Sequence, residues 1–223
     1  MKILLIIIAM VLCVGCSEPV DSSQFLERKG LKYLPNSDEP YSGSAFSLYA
    51  NGQKWTESNW EDGKIDGEFL LWYENGQMRI EGHYSEGRQD GRITKWYQNG
   101  QKEEESNWDD DNKDGLLIHW NENGQIISKT DYNNNVEDGL STQWFENGQK
   151  EQESNWKKGK LEGISTHWYQ KGQKHNETTW KDDHLNGKVT YWYKNGQKQM
   201  EGFYKGGKLD GTSAEWYENG QEK

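Results

Sequence analysis

From Gly43 onward, one pattern of bulky and polar positions recurs every 24 residues with no insertion or deletion. In the unit Gly67 to Asp90, Glu68 to Glu74 is rich in bulky residues (Phe69, Leu70, Leu71, Trp72, Tyr73) and reads as a strand. Asn75-Gly76 follows, then Gln77 to Tyr84 as the returning strand. Two such stretches around Asn-Gly predict a β-hairpin, because a type I′ turn needs positive φ at both central residues. Ser85 to Asp90 predicts a longer turn that leads into the next unit.

Aromatic residues mark every half unit: Trp60, Trp72, Tyr84, Trp96, Trp108, Trp120, Tyr132, Trp144, Trp156, Trp168, Trp180, Trp192, Tyr204 and Trp216. Asn-Gly-Gln begins at 51, 75, 99, 123, 147, 195 and 219, with Lys171-Gly172-Gln173 in the one gap. Glycines at 43, 67, 91, 115, 139, 163, 187 and 211 open each unit. The pattern predicts an all-β fold: an elongated antiparallel meander of successive hairpins with about 15 strands, in seven 24-residue units plus a half unit over residues 43–223. A two-residue loop places Glu74 opposite Gln77 and Tyr84 opposite Gly67, with the ring covering the strand glycine. It puts Phe69, Leu71, Tyr73, Met78, Ile80 and Tyr84 on one face, and Trp72, Arg79 and Glu81 on the other. In the next unit the first face carries Lys95, Lys102 and Glu104, so either face can be the buried one. Trp72, Trp96, Trp120, Trp144, Trp168, Trp192 and Trp216 should run along one edge, and the column from Trp60 to Tyr204 along the other. Lys171 is ill suited to a left-handed conformation, which makes its turn the expected weak one.

Only 31% of the 223 residues are hydrophobic, the formal charge is -11 and the mean hydropathy is -1.18. Such a balance suggests disorder, but 12 Trp and 12 Tyr argue for burial through rings at fixed positions. There is material for a thin core renewed in every unit, as in repeat proteins. The acidic balance disfavours nucleic acid and anionic lipid surfaces as partners, since both need a basic face, and no nucleic-acid partner is expected. Both cysteines, Cys13 and Cys16, lie near the N-terminus, which leaves the array without a disulfide or thiolate site. Met1-Lys2 and the apolar run Ile3 to Leu12 read as a secretory signal peptide over residues 1–15, too short to span a bilayer. Val14-Gly15-Cys16 resembles a bacterial lipoprotein box, with Cys13 where that box usually has leucine. The resemblance implies lipidation at Cys16, hence membrane attachment in a bacterial cell envelope, and Ser17 implies outer-membrane sorting if the cell is Gram-negative. Ordinary signal cleavage nearby is the alternative. Residues 16–42 read as anchor and tether, with a weak signal for a short helix over Phe25 to Lys32.

Trp72-Tyr73-Glu74-Asn75-Gly76-Gln77, followed by Tyr84 and Asp90-Gly91, resembles the bacterial variant of the MORN repeat; Trp216 to Gln221 repeats its first half. The resemblance covers about 80% of the chain. It implies an elongated sheet of hairpins and a scaffold for protein partners, some such arrays having been proposed to touch lipid. Bacterial proteins of this kind are often labelled antitoxin-like, from which the secretory segment here departs.

Asp110-Asp111-Asn112-Lys113-Asp114-Gly115 matches the first half of a calcium loop, but its twelfth position is Asn121 and not glutamate. The five histidines (His83, His119, His167, His175, His184) have no metal-ligand spacing. Glu57, Glu81, Glu105, Glu153, Glu177 and Glu201 form a carboxylate column interrupted by Lys129, read as a solvent-facing ladder. No catalytic constellation, metal site or cofactor site is expected. The leading expectation is a non-enzymatic, envelope-anchored scaffold for an unidentified protein partner. A toxin-neutralising immunity protein is the alternative, as is a polysaccharide stacked on the exposed tryptophan column from Trp72 to Trp216.

Overall fold

A computed structural model describes residues 18–223, so the signal segment and Cys16 lie outside the described residues. Eighteen strands form one sheet and two more form a separate hairpin. Consecutive strands pair antiparallel from Gly43–Leu48 through Lys54–Glu61, Lys64–Trp72 and Met78–Ser85 to the last, Lys208–Glu215. This is the long meander of hairpins that the periodicity predicts. The total is twenty strands and not about fifteen. Three short strands precede the array, and two array strands are each split, by Asp90 and by Asp114.

The two kinds of turn are the reverse of the sequence expectation. The Asn-Gly loops are not type I′: Gly76 has φ 84°, but Asn75 is not in the left-handed region. Tyr73 N–H donates to the Gln77 carbonyl (2.8 Å) and Gly76 N–H to the Tyr73 carbonyl (2.9 Å). That is a type I turn over Glu74-Asn75 closed by a left-handed glycine. Tyr73 therefore faces Gln77, and Trp72 pairs with Met78. A bulge at Arg79 then restores the expected register, with Leu71 opposite Ile80 and Gly67 opposite Tyr84. The offset of the loop and the extra residue cancel. Met78 is consequently on the Trp72 face, opposite to its expected one.

The turns read as long are the tight ones. Glu86-Gly87 (φ 49° and 82°), Asp110-Asp111 (56° and 64°) and Asn134-Asn135 (49° and 64°) have positive φ at both central residues, the mark of type I′. Each strand after such a turn carries extra residues around its opening glycine. Gly187 (φ 133°) lies where a Cβ would stand 2.9 Å from Thr179 Cβ, so conformation and space both demand glycine. The positive φ recurs at all eight opening glycines, so backbone conformation accounts for the repeat; space does not, since a Cβ at Gly211 would meet nothing within 4 Å.

The core is a strip of small residues along the middle of the ribbon. On one face Ala45 pairs with Ser58, Ser58 with Phe69, Phe69 with Gly82, and the ladder continues through Ser141, Ser154, Ser165 and Thr178 to Val189 and Gly202. Ser154 is 0% and Ser106 1% exposed. Volumes compensate along it: Gly82 lies between Phe69 and Ile93, and a Cβ there would be 3.1 Å from Ile93 Cγ1. On the other face Thr142, Thr166 and Thr190 are buried, each flanked by a glutamate of the adjoining strand.

The stretch before Gly43, expected to be a tether, carries structure. Val20–Asp21 pairs parallel with Ala45-Phe46. Leu26–Arg28 and Leu31–Tyr33 form a hairpin where a short helix was expected over Phe25 to Lys32. Lys29-Gly30 supplies its turn (φ 52° and 80°), and the alternation of apolar and polar residues around it has period two. Phe25 packs on Tyr41 (4.9 Å between centroids) and Trp60 (5.2 Å), and the Asp62-Gly63 turn bonds to Lys32 and Tyr41. The segment covers the first edge of the sheet. Among the described residues no helix is long and apolar enough to cross a membrane.

Candidate functional site

Trp60, Trp108 and Trp180 lie on the face of the small-residue ladder and fold back over it. Their indole N–H groups donate to Ser58 (2.8 Å), Ser106 (2.8 Å) and Thr178 (2.7 Å) two residues earlier. Where that position is glycine (Gly82, Gly202) the aromatic residue is tyrosine (Tyr84, Tyr204), which has no indole to satisfy. At Ser154 the hydroxyl is shared with Ser165 (2.7 Å) and Gln152 (3.0 Å), and Trp156 Nε1 is buried without a partner.

The column Trp72, Trp96, Trp120, Trp144, Trp168, Trp192 and Trp216 lies on the opposite face and at the Asn-Gly edge, half-buried throughout. Lysines of the preceding hairpin cover several of its rings: Lys54 over Trp72 (5.4 Å), Lys102 over Trp120 (5.5 Å), Lys150 over Trp168 (5.7 Å), Lys174 over Trp192 (5.8 Å) and Lys198 over Trp216 (5.6 Å). The same lysines pair with the glutamate column, as in Lys54–Glu57 (2.5 Å), Lys102–Glu105 (2.6 Å), Lys150–Glu153 and Lys174–Glu177. Glu201, bonded by Lys198 and also by Lys188, is held below the usual carboxylate range. Sequence reasoning missed this Trp–Lys–Glu unit; its signal was lysine at the first position of the returning strand and glutamate three residues on.

Neighbouring units are tied together at the same edge. Tyr49, Tyr73, Tyr97, Tyr169 and Tyr193 each donate a hydroxyl to the carbonyl of the next unit's tryptophan at 2.7–2.9 Å. The turn asparagines Asn51, Asn75, Asn99, Asn147 and Asn195 donate Nδ2 to the next turn's backbone. Asn121 and Phe145 replace tyrosine in two units, and Lys171 replaces asparagine in one. The Lys171 turn has normal backbone and lacks only the asparagine's side-chain bonds, so left-handed strain is not its weakness.

The half calcium loop folds into the sheet's far edge. Asp110 pairs with Arg88 (2.8 Å), Asp111 Oδ1 accepts from Gln89 N–H (2.7 Å), and Asn112 Oδ1 accepts from Asn135 (2.7 Å). The oxygens serve neighbouring units and do not converge. Among the described residues no three acidic, histidine or cysteine groups are placed to hold a metal. His119 and His167 sit in one column of the ladder face; His119 lies 3.8 Å from Glu104. His167 is held below its ordinary value by burial, then by nearby His175, against an opposing Glu151.

Repeats of the MORN variant match five stretches, 65–86, 89–110, 113–134, 137–158 and 185–205, together just under half of the chain. No curated protein matches the chain. Proteins with such repeats are generally non-catalytic binding modules. The chain is thus a repeat protein that carries the MORN repeat variant in five stretches of one continuous array of β-hairpins.

Proposed function

We propose that this array is a non-enzymatic scaffold for a protein partner, held at the bacterial cell envelope by a lipid on Cys16. The observation that carries the scaffold reading is where the repeated side chains spend their chemistry. Indole, phenol, amide, ammonium and carboxylate groups satisfy one another within and between units. What is left is a long, regular, acidic surface, suited to contact over many small patches. The apolar run before Val14-Gly15-Cys16 supports the anchor. Fractionation of cells producing the protein or its Cys16→Ser variant tests it: the native chain should sediment with membranes and the variant should not. Equal partition would remove the anchor. Capture with the purified array tests the scaffold, and absence of any specific protein would count against it.

A second reading, an immunity protein that neutralises a toxin, draws on the formal charge of -11, which would steer the chain to a basic enzyme. Inhibition of such an enzyme by the purified array would support it. The tryptophan column from Trp72 to Trp216 gives less support to a polysaccharide, because lysines already occupy ring faces that a sugar would need.

A further inference from the structure

Crevices recur along the Asn-Gly edge, between neighbouring turns. One, of about 430 Å³, is lined by Asn75, Tyr97, Gln98, Asn99 and Glu122. Its counterpart three units later, of about 450 Å³, is lined by Phe145, Trp168, Tyr169, Gln170, Lys171 and Lys194, with Gln173 beside them. Tyr97 and Gln98 correspond to Tyr169 and Gln170, but Asn99 has become Lys171 and Glu122 has become Lys194. In the earlier crevice Asn99 Nδ2 closes onto the Glu122 carbonyl (2.8 Å). Lysine makes no such bond, and the later crevice opens onto the rings of Phe145 and Trp168. Its sign is inverted as well, from one carboxylate to two ammonium groups.

Three further features coincide at this place. Lys171 and Lys194 enter no ion pair among the described residues, as is true of several other lysines of the array, and the Lys194 ammonium lies over the Tyr169 ring (5.9 Å); the lysines that open the returning strands, Lys54, Lys102, Lys150, Lys174 and Lys198, are each paired to glutamate. Phe145, like Asn121 in the unit before it, lacks the hydroxyl that Tyr73 or Tyr97 gives to the next tryptophan's carbonyl, and of the two it alone keeps an aromatic ring. The repeat match passes from 137–158 to 185–205 and omits the stretch containing Lys171. In an array where every unit is otherwise free to be the same, departures that converge on one crevice mark a site.

We infer that this crevice binds the free C-terminal carboxylate of a partner protein whose last residue is aromatic. The inference deepens the scaffold reading and rests on it. Two ammonium groups match the two oxygens of one carboxylate, and the Phe145 ring, together with the part of Trp168 that Lys150 leaves uncovered, gives an apolar wall for an aromatic side chain. The flanking turns carry Glu122, Glu146 and Glu218, which repel a polyanion and admit a single negative charge at a chain end. A space of about 450 Å³ at a sheet edge accommodates a terminal residue and not a folded surface.

The test is calorimetric titration of the purified chain with an octapeptide ending in Gly-Phe, as the free acid and as the C-terminal amide, and with phenylacetate. The free acid should bind, and the amide should bind roughly tenfold more weakly, the loss of one charge-assisted hydrogen bond. Lys171→Asn and Lys194→Glu, which restore residues found elsewhere in the repeat and so keep the fold, should each weaken the acid at least as much. Equal binding of acid and amide, or unaltered binding by both variants, would overturn the inference. So would phenylacetate binding as tightly as the peptide, since a small aromatic acid would then be the ligand. A partner captured equally by the native chain and by both variants would sink this site and leave the scaffold standing.

Discussion

At the scale of single residues, each unit solves the same hydrogen-bonding problem with few atoms. An indole folded over the ladder needs an acceptor two residues earlier, and Ser58, Ser106 and Thr178 provide it. Ser106→Ala should cost about 1–3 kcal/mol, because Trp108 Nε1 would be left without a partner as Trp156 Nε1 already is. Urea unfolding measures it, and a loss below about 0.5 kcal/mol would show that the indole finds water instead. Glu137 occupies a position that holds Ile65, Leu161 and Leu185 in other units, and burial raises its carboxyl above the usual value. Glu137→Leu should therefore raise the unfolding temperature at neutral pH. His167 makes stability depend on pH. Its folded value is below the ordinary 6.5, so the unfolded chain takes up the proton first as pH falls. Its contribution is intact above about 6.5 and declines as pH drops through that value. His167→Gln should flatten the decline, and an unchanged slope in urea melts at pH 7.5 and 5 would refute the assignment. The pairing of each ladder-face tryptophan with a hydroxyl two residues earlier, and of Tyr84 and Tyr204 with glycine, can be read in the sequence once the face is known; Tyr132 follows Thr130 instead. It could not be used before, because twelve-residue spacing gives columns but not the side of the sheet each column occupies.

At the scale of elements, the meander and the register of Gly67 with Tyr84 were legible, and both turn types were misread. Asn-Gly supports type I′, but it is equally the end of a type I turn with a left-handed glycine. The choice depends on a bulge at Arg79 that no local residue signals. The true type I′ turns hide behind Glu86-Gly87, Asp110-Asp111 and Asn134-Asn135, where acidic and amide residues take left-handed backbone. Asp111, Asn135 and Asp183 offset that strain by accepting N–H groups of Gln89, Lys113 and Leu161 at 2.7 Å. Asp111→Ala retains the strain and loses the bond, a cost of about 2 kcal/mol, whereas Asp111→Gly relieves the strain and should cost less than about 1 kcal/mol. Equal losses in urea unfolding would mean that the carboxylate contributes nothing. The hairpin of Leu26–Arg28 with Leu31–Tyr33 was missed because its period-two alternation runs over only three residues a side and its Lys-Gly turn is not a common signal.

At the scale of the whole molecule, stability passes from each hairpin to the next, since no central mass exists to bury. Strands pair with their sequence neighbours, and the ties between units run from one unit to the adjoining one. The fold was legible because this geometry repeats, and the candidate site was not, because a site in an array is a departure from the repeat. Lys171, read in sequence as a flaw in a turn, lies with Phe145 and Lys194 only when three units are stacked. The direct test of unit-to-unit stacking is the urea unfolding of a chain lacking residues 91–114, one complete unit that ends where the next glycine begins. Such a chain should fold with the same strand signature, unfold in one transition, and show an m-value lower by about one-seventh, in proportion to the surface removed. Loss of the folded state, or an unchanged m-value, would contradict it.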